Sequence, residues 1–136
     1  MSSTGVRVGL LSSEAIRPRM GGIGVRYLEL AQRLARLGFD VRLVSPGTPE
    51  QGAACGIDAA LLGRYDAGSV RELFADRQVA VAQGQLANDL LVACPELPTA
   101  IDLYDPWLVE NLHYHDELGL DPYRTDHATW VLQLSR

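Results

Sequence analysis

The chain has 136 residues, 47% of them hydrophobic and 21% charged, with a formal net charge of −5. That length holds one domain with a real core, residues 1–136 as a single unit. The balance is that of a soluble globular chain, and its acidity argues against a generic grip on nucleic acid or anionic lipid.

All 12 basic residues are arginine, so any motif that needs lysine is excluded. Cys55 and Cys94 fit neither a metal-ligand spacing nor a disulfide framework, and reduced thiols are expected. The start, MSSTGVRVGLLSS, lacks the basic stretch and apolar core of a signal peptide. No apolar run approaches the roughly 20 residues of a spanning helix. The expected compartment is the cytoplasm, with no transmembrane segment.

Residues 6–11 (VRVGLL) read as a buried strand, and the polar stretch SSEAIRPRMGG as the loop after it. Three glycines, Gly21, Gly22 and Gly24, then open a strongly amphipathic helix that Gly38 stops in a left-handed conformation. Tyr27, Leu28, Ala31, Leu34 and Ala35 form its apolar stripe, while Glu29 and Arg33 stand at i,i+4 spacing for an ion pair. Residues 41–46 (VRLVSP) return as a second strand, which completes a βαβ unit and implies a parallel sheet. The signals over 47–60 are weak, with a short strand expected at Ala59–Leu62.

The pattern Ser69-Val-Arg-Glu72 predicts a capping box that starts a helix to about Arg77. Val79–Ala82 is a third clear strand. Asn88 is expected to cap a short helix that Pro95 ends. Thr99–Leu103 is another buried strand. Asp105 and Pro106 then start a helix from Trp107 to about Glu117, and Asp126 caps a last one. The alternation predicts an α/β fold: a doubly wound, Rossmann-like parallel sheet in three α/β/α layers. Ligands in such sheets sit beyond the carboxyl ends of the strands. The candidates are therefore the 12–24 loop, Ser45, Gln83 to Gln85, and Asp102 to Trp107.

A glycine cluster at a helix start lets an anion approach backbone N–H groups, with the helix dipole in its favour. Which anion depends on the pattern around it. In a dinucleotide-binding G-x-G-x-x-G, a glycine would stand where Tyr27 is, the motif would follow the strand directly, and the second strand would end in Asp or Glu. None of these holds. A P-loop needs a lysine, and the chain has none.

The stretch VRVGLLSSEAIRPRMGGIGVRYLELAQRLARLGFDVRLVSP resembles the N-terminal half of GT-B-fold glycosyltransferases, particularly the large retaining family 4. VAVAQG and TAIDLYDP fit that half by layout. The resemblance implies a two-domain enzyme that transfers a sugar from a nucleotide-sugar co-substrate to a sugar or small-molecule acceptor with retention. This domain would bind the acceptor, and the C-terminal domain of the same enzyme most of the donor. Gly21, Gly22, Ile23 and Gly24 would approach the donor diphosphate through their amides, and no metal or other cofactor is expected. Where the family often carries a histidine this chain has Asp102. That residue either orients an acceptor hydroxyl or the transferred sugar, or caps the next helix. Asp105, before Pro106, reads first as a cap.

Arg19 and Arg17, Gln83, Gln85, Tyr104 and Asp105 complete the expected cleft, the arginines either reaching an anion or lying in solvent. Trp107 and Trp130 read as core or interdomain packing. His113 and His115 stand two apart, on different faces of a helix, which disfavours a zinc site. No nucleophile-elbow motif supports a hydrolase. The family's donor-binding motifs are absent, so the chain is expected to be a fragment with little activity alone and a tendency to self-associate. Two other readings stay open: a non-catalytic module that binds sugar, nucleotide or a protein partner, and a pseudo-glycosyltransferase that joins cyclitol units.

Overall fold

The computed structural model of the chain describes residues 5–56, 62–64, 68–83 and 85–102. Its elements alternate strictly: β1 (Arg7–Leu11), α1 (Gly22–Arg36), β2 (Asp40–Ser45), α2 (Pro49–Ala53), β3 (Leu62–Arg64), α3 (Val70–Phe74), β4 (Val79–Gln83), α4 (Gln85–Ala93) and β5 (Thr99–Asp102). The strands form one 5-stranded sheet in the order β3-β2-β1-β4-β5, and every neighbouring pair is parallel. The chain winds outward from β1 to β3, then restarts on the other side of β1 with β4. Strand order therefore reverses between β1 and β4.

Parallel strands covered on both faces read as near-continuous apolar runs, as RVGLL and VAVAQ do. Side-chain alternation divides each run between two cores. Val8 and Leu10 of β1 join Val41 and Leu43 of β2 against Tyr27 and Ala31 of α1. Leu11, Val44, Ala80 and Ala82 face the other way, onto Val70 and Phe74 of α3 and Ala87 and Leu90 of α4. Helices on both faces make this an α/β/α arrangement of the Rossmann-like kind. The Phe74 ring lies so close to β1 that a Cβ at Gly9 would stand 2.5 Å from it. Glycine is needed in that strand because another side chain crosses the backbone there.

Helix α1 buries the expected stripe, with Leu28, Leu34 and Ala35 packed around buried Tyr27 and Ala31. Gly38 ends it at φ +90°, a conformation that favours glycine. Glu29 and Arg33 form no ion pair among the described residues; on an exposed helix face such a pair gains little.

Four expectations need correction. Helix α2, where only weak signals were read, is capped by a full box: Gln51 N–H donates to Thr48 Oγ1, and the Gln51 side chain accepts from the Thr48 N–H. Ser69 occupies the cap position of α3 but makes no side-chain cap bond, and that helix ends at Phe74. Its φ of −112° and ψ of 5° depart from the extended conformation that aims a cap hydroxyl at the first turn. Asn88 lies inside α4, which starts at Gln85, because the apolar spacing Leu86, Ala87 and Leu90 carries the helix one turn further back. The third strand falls at Leu62–Arg64, overlapping the expected one only at Leu62. The two helices expected after residue 103 lie outside the described residues.

Candidate functional site

The site forms where strand order reverses, beyond the carboxyl ends of β1 and β4, the position at which open parallel sheets bind ligands. Two short polar linkages tie the strand ends together. Ser13, two residues past β1, donates from Oγ to Oε1 of Gln83 at the end of β4, 2.7 Å away. Ser45, at the end of β2, accepts the Ile16 N–H at 3.4 Å. Ser12, wholly buried, donates to the Glu14 carbonyl at 2.7 Å and accepts the Glu14 N–H at 3.2 Å. This turn fixes the direction in which the Glu14 side chain leaves the loop.

Glu14 reaches across to the glycine turn. Its Oε2 accepts the Gly24 N–H at 2.7 Å, and its Oε1 accepts the Gly21 N–H. Gly21 is the N-cap of α1 and has no side chain with which to cap it. A capping box satisfies the N-cap and N3 donors with two side chains; here a single carboxylate from the preceding loop satisfies both. The sequence marked four amides as a group, and the structure divides them. Those of Gly21 and Gly24 are held by Glu14, whereas those of Gly22 and Ile23 have no partner among the described residues. The space around them differs in the same sense. A Cβ at Gly21 would meet Glu14 at 2.9 Å and one at Gly24 would meet Met20 at 2.7 Å, but one at Gly22 meets nothing within 4 Å.

Asp102 ends β5 and is held by α1. Arg26 donates from Nε to Oδ2 at 3.0 Å and from Nη2 to Oδ1 at 3.2 Å, the fork geometry in which arginine binds a carboxylate most firmly. The Asp102 side chain is 12% exposed and that of Arg26 is 49% exposed. One rim of the site thus carries an oriented carboxylate that keeps some access to solvent. Beneath it, Tyr27 is fully buried and its hydroxyl finds no hydrogen-bond partner among the described residues. Burial pushes the phenol pKa well above its ordinary value, the Asp102 carboxylate adds to this, and Arg26 opposes it. Tyr27 therefore stays protonated and serves α1 as core, which a close-approach glycine at that position could not do.

Arg17 and Arg19 are exposed in the loop before the glycines, with no hydrogen-bond or ion-pair partner among the described residues. Gln83 is buried and engaged by Ser13. Gln85 opens α4. Tyr104, Asp105, Trp107, His113, His115 and Trp130 lie outside the described residues.

Sequence reasoning missed Glu14 and Arg26, the two side chains that organise this edge. Glu14 was covered only as part of the 12–24 loop, with no periodicity to single it out, and Arg26 lies off the apolar stripe of α1, where nothing along the chain marks a partner. Among the described residues no cluster of three His, Cys, Asp or Glu could hold a metal ion, and no helix is long and apolar enough to cross a membrane. No protein-family model matches the chain, nor does any curated protein or solved structure.

Proposed function

We propose that this chain is the acceptor-side, N-terminal domain of a GT-B-fold, retaining glycosyltransferase that uses a nucleotide-sugar donor. The observation that carries the reading is the pair of amides, Gly22 and Ile23, without a partner among the described residues, at the start of a 15-residue helix beside the switch point. Amides so placed stabilise negative charge that builds on a leaving diphosphate without any rearrangement. Asp102, oriented by Arg26, is the group placed to accept a hydrogen bond from a sugar hydroxyl. Arg19, with Arg17, supplies positive charge in the same loop.

The test is a titration of the chain with UDP-glucose and GDP-mannose followed by phosphorus NMR. Weak, millimolar, saturable shifts of the diphosphate signals are expected, and Gly22→Val should abolish them while leaving the helical circular dichroism unchanged. Shifts that are absent, or identical in wild type and variant, overturn the reading. Glu14 favours a second reading, because a turn whose first and fourth amides are already capped is complete as structure. In that case the domain is a non-catalytic α/β binding or interaction module, and the titration shows no diphosphate binding at all.

A further inference from the structure

At the opposite, amino-terminal edge of the sheet lies a cavity of about 310 Å³ between the end of α3, the turn into β4, and the segment joining α4 to β5. That volume is at the small end of ligand pockets, sized for one small molecule. Its apolar lining comes from Phe74, Cys94, Leu97 and Pro98, and its charges from Arg71, Arg77 and Glu96.

The charges are not equivalent. Arg77 is committed, with Nη1 3.2 Å from Asp40 Oδ1 and Nη2 2.7 Å from Asp76 Oδ2. Arg71 and Glu96 are exposed, and neither has an ion-pair or hydrogen-bond partner among the described residues. Both act on the same atom: burial raises the pKa of the Cys94 thiol, Glu96 raises it further, and Arg71 lowers it. The uncommitted charges are thus one cation and one anion that line the same cavity with its apolar residues and form no ion pair with each other.

We propose that this cavity binds a free amino acid with an apolar side chain. Its carboxylate pairs with Arg71, its ammonium with Glu96, and its side chain covers Phe74, Leu97 and the Cys94 thiol. A phosphate or a simple carboxylate would leave Glu96 uncompensated beside it, and a simple amine would leave Arg71 so; a zwitterion answers both. The framing segment is fixed by the backbone: Leu97 N–H donates to the Cys94 carbonyl at 3.1 Å and Ala80 N–H to the Pro98 carbonyl at 2.9 Å.

The experiment is calorimetric titration of the 136-residue chain with L-leucine, L-methionine and L-phenylalanine, compared with 4-methylpentanoate and 3-methylbutylamine. At least one amino acid should bind saturably, one per chain, with each leucine analogue about tenfold weaker than leucine where leucine is the ligand, the factor of one lost charge contact. Glu96→Gln should remove the preference for leucine over 4-methylpentanoate, and Arg71→Ala the preference over 3-methylbutylamine. Both residues are exposed, so circular dichroism should report unchanged folds. In a Cys55→Ser background the bound amino acid should slow maleimide labelling of Cys94, which locates the ligand. No saturable binding by any of the three, binding that survives both substitutions, or 4-methylpentanoate as tight as leucine would each overturn the proposal.

Discussion

The two edges of the sheet use their polar groups in opposite ways. At the amino edge Arg77, its side chain only 3% exposed, lies between Asp40 and Asp76. Arg42 joins Asp76 at 2.9 Å and the Leu73 carbonyl at 2.7 Å, while Arg7 donates to the Asp76 carbonyl at 2.5 Å. Charge there is spent on joining β1, β2 and the α3–β4 turn. At the carboxyl edge the polar linkages hold the loop after β1, the glycine turn and the end of β5, and among the described residues they leave the amides of Gly22 and Ile23 and the side chains of Arg17 and Arg19 uncommitted. An edge that fastens strands together can be taxed by mutation only at a cost in stability. An edge with spare donors should yield variants that change binding more than folding.

The largest effect should come from Arg77→Ala. It removes a buried guanidinium that also donates to the Asp40 carbonyl at 3.2 Å. A buried pair broken on one side costs about 3–5 kcal/mol, and because Asp40 and Asp76 are half-exposed we expect the lower end, read as a shift in the urea midpoint. Stability matching wild type would mean that the network is ornamental.

Acid should expose the same edge. The Arg77 guanidinium that donates to Asp76 holds its carboxyl well below the usual carboxylate range, and Arg42 assists. A carboxyl depressed in the folded state contributes stability that is present above its unfolded value, near pH 4, and is lost as pH falls towards the folded value. Chemical denaturation between pH 5 and pH 2 (roughly the span set by those values) should show that decline, and Asp76→Asn should flatten it. An equal decline in the variant assigns the acid sensitivity elsewhere.

Glu14→Ala tests the other edge. It strips the bonds to Gly21 and Gly24, and loss of a helix cap costs about 1 kcal/mol. The freed amides should also strengthen any diphosphate binding seen in the wild type. Tyr27→Phe should do least: its hydroxyl is buried without a partner among the described residues, so deletion removes a desolvation cost and thermal stability should hold or rise slightly. A clear loss would reveal a partner for that hydroxyl, such as an ordered water beneath Asp102.

Much of the frame was legible in the chain. The runs VRVGLL, VRLVSP, VAVAQG and TAIDL located four strands, since parallel strands read as apolar runs. TAIDL is not the buried strand expected, however: β5 is an edge strand and none of its residues is buried. The 3.6-residue stripe from Tyr27 to Ala35 found α1 and its buried face. The short helices were the failures. Thr48-Pro-Glu-Gln51 carried a capping-box signal inside a stretch rich in Gly, Ala and Pro. Ser69 carried the same signal without forming the bond. Short-range signals of this kind are permissive, and the surrounding chain decides whether the side chain turns in.

By itself the sequence determined the α/β alternation, the glycine turn that opens α1, and the set of strand ends where a site can form, because periodicity and local turn chemistry act over a few residues. Only the tertiary structure decided which of those groups remain available. Gln83 is met by a serine 70 positions away, and Asp102 by an arginine 76 positions away. Glu14 takes two amides and, among the described residues, leaves those of Gly22 and Ile23 open. Polar partners are chosen by proximity after the sheet has assembled, and no pattern along the chain encodes that choice.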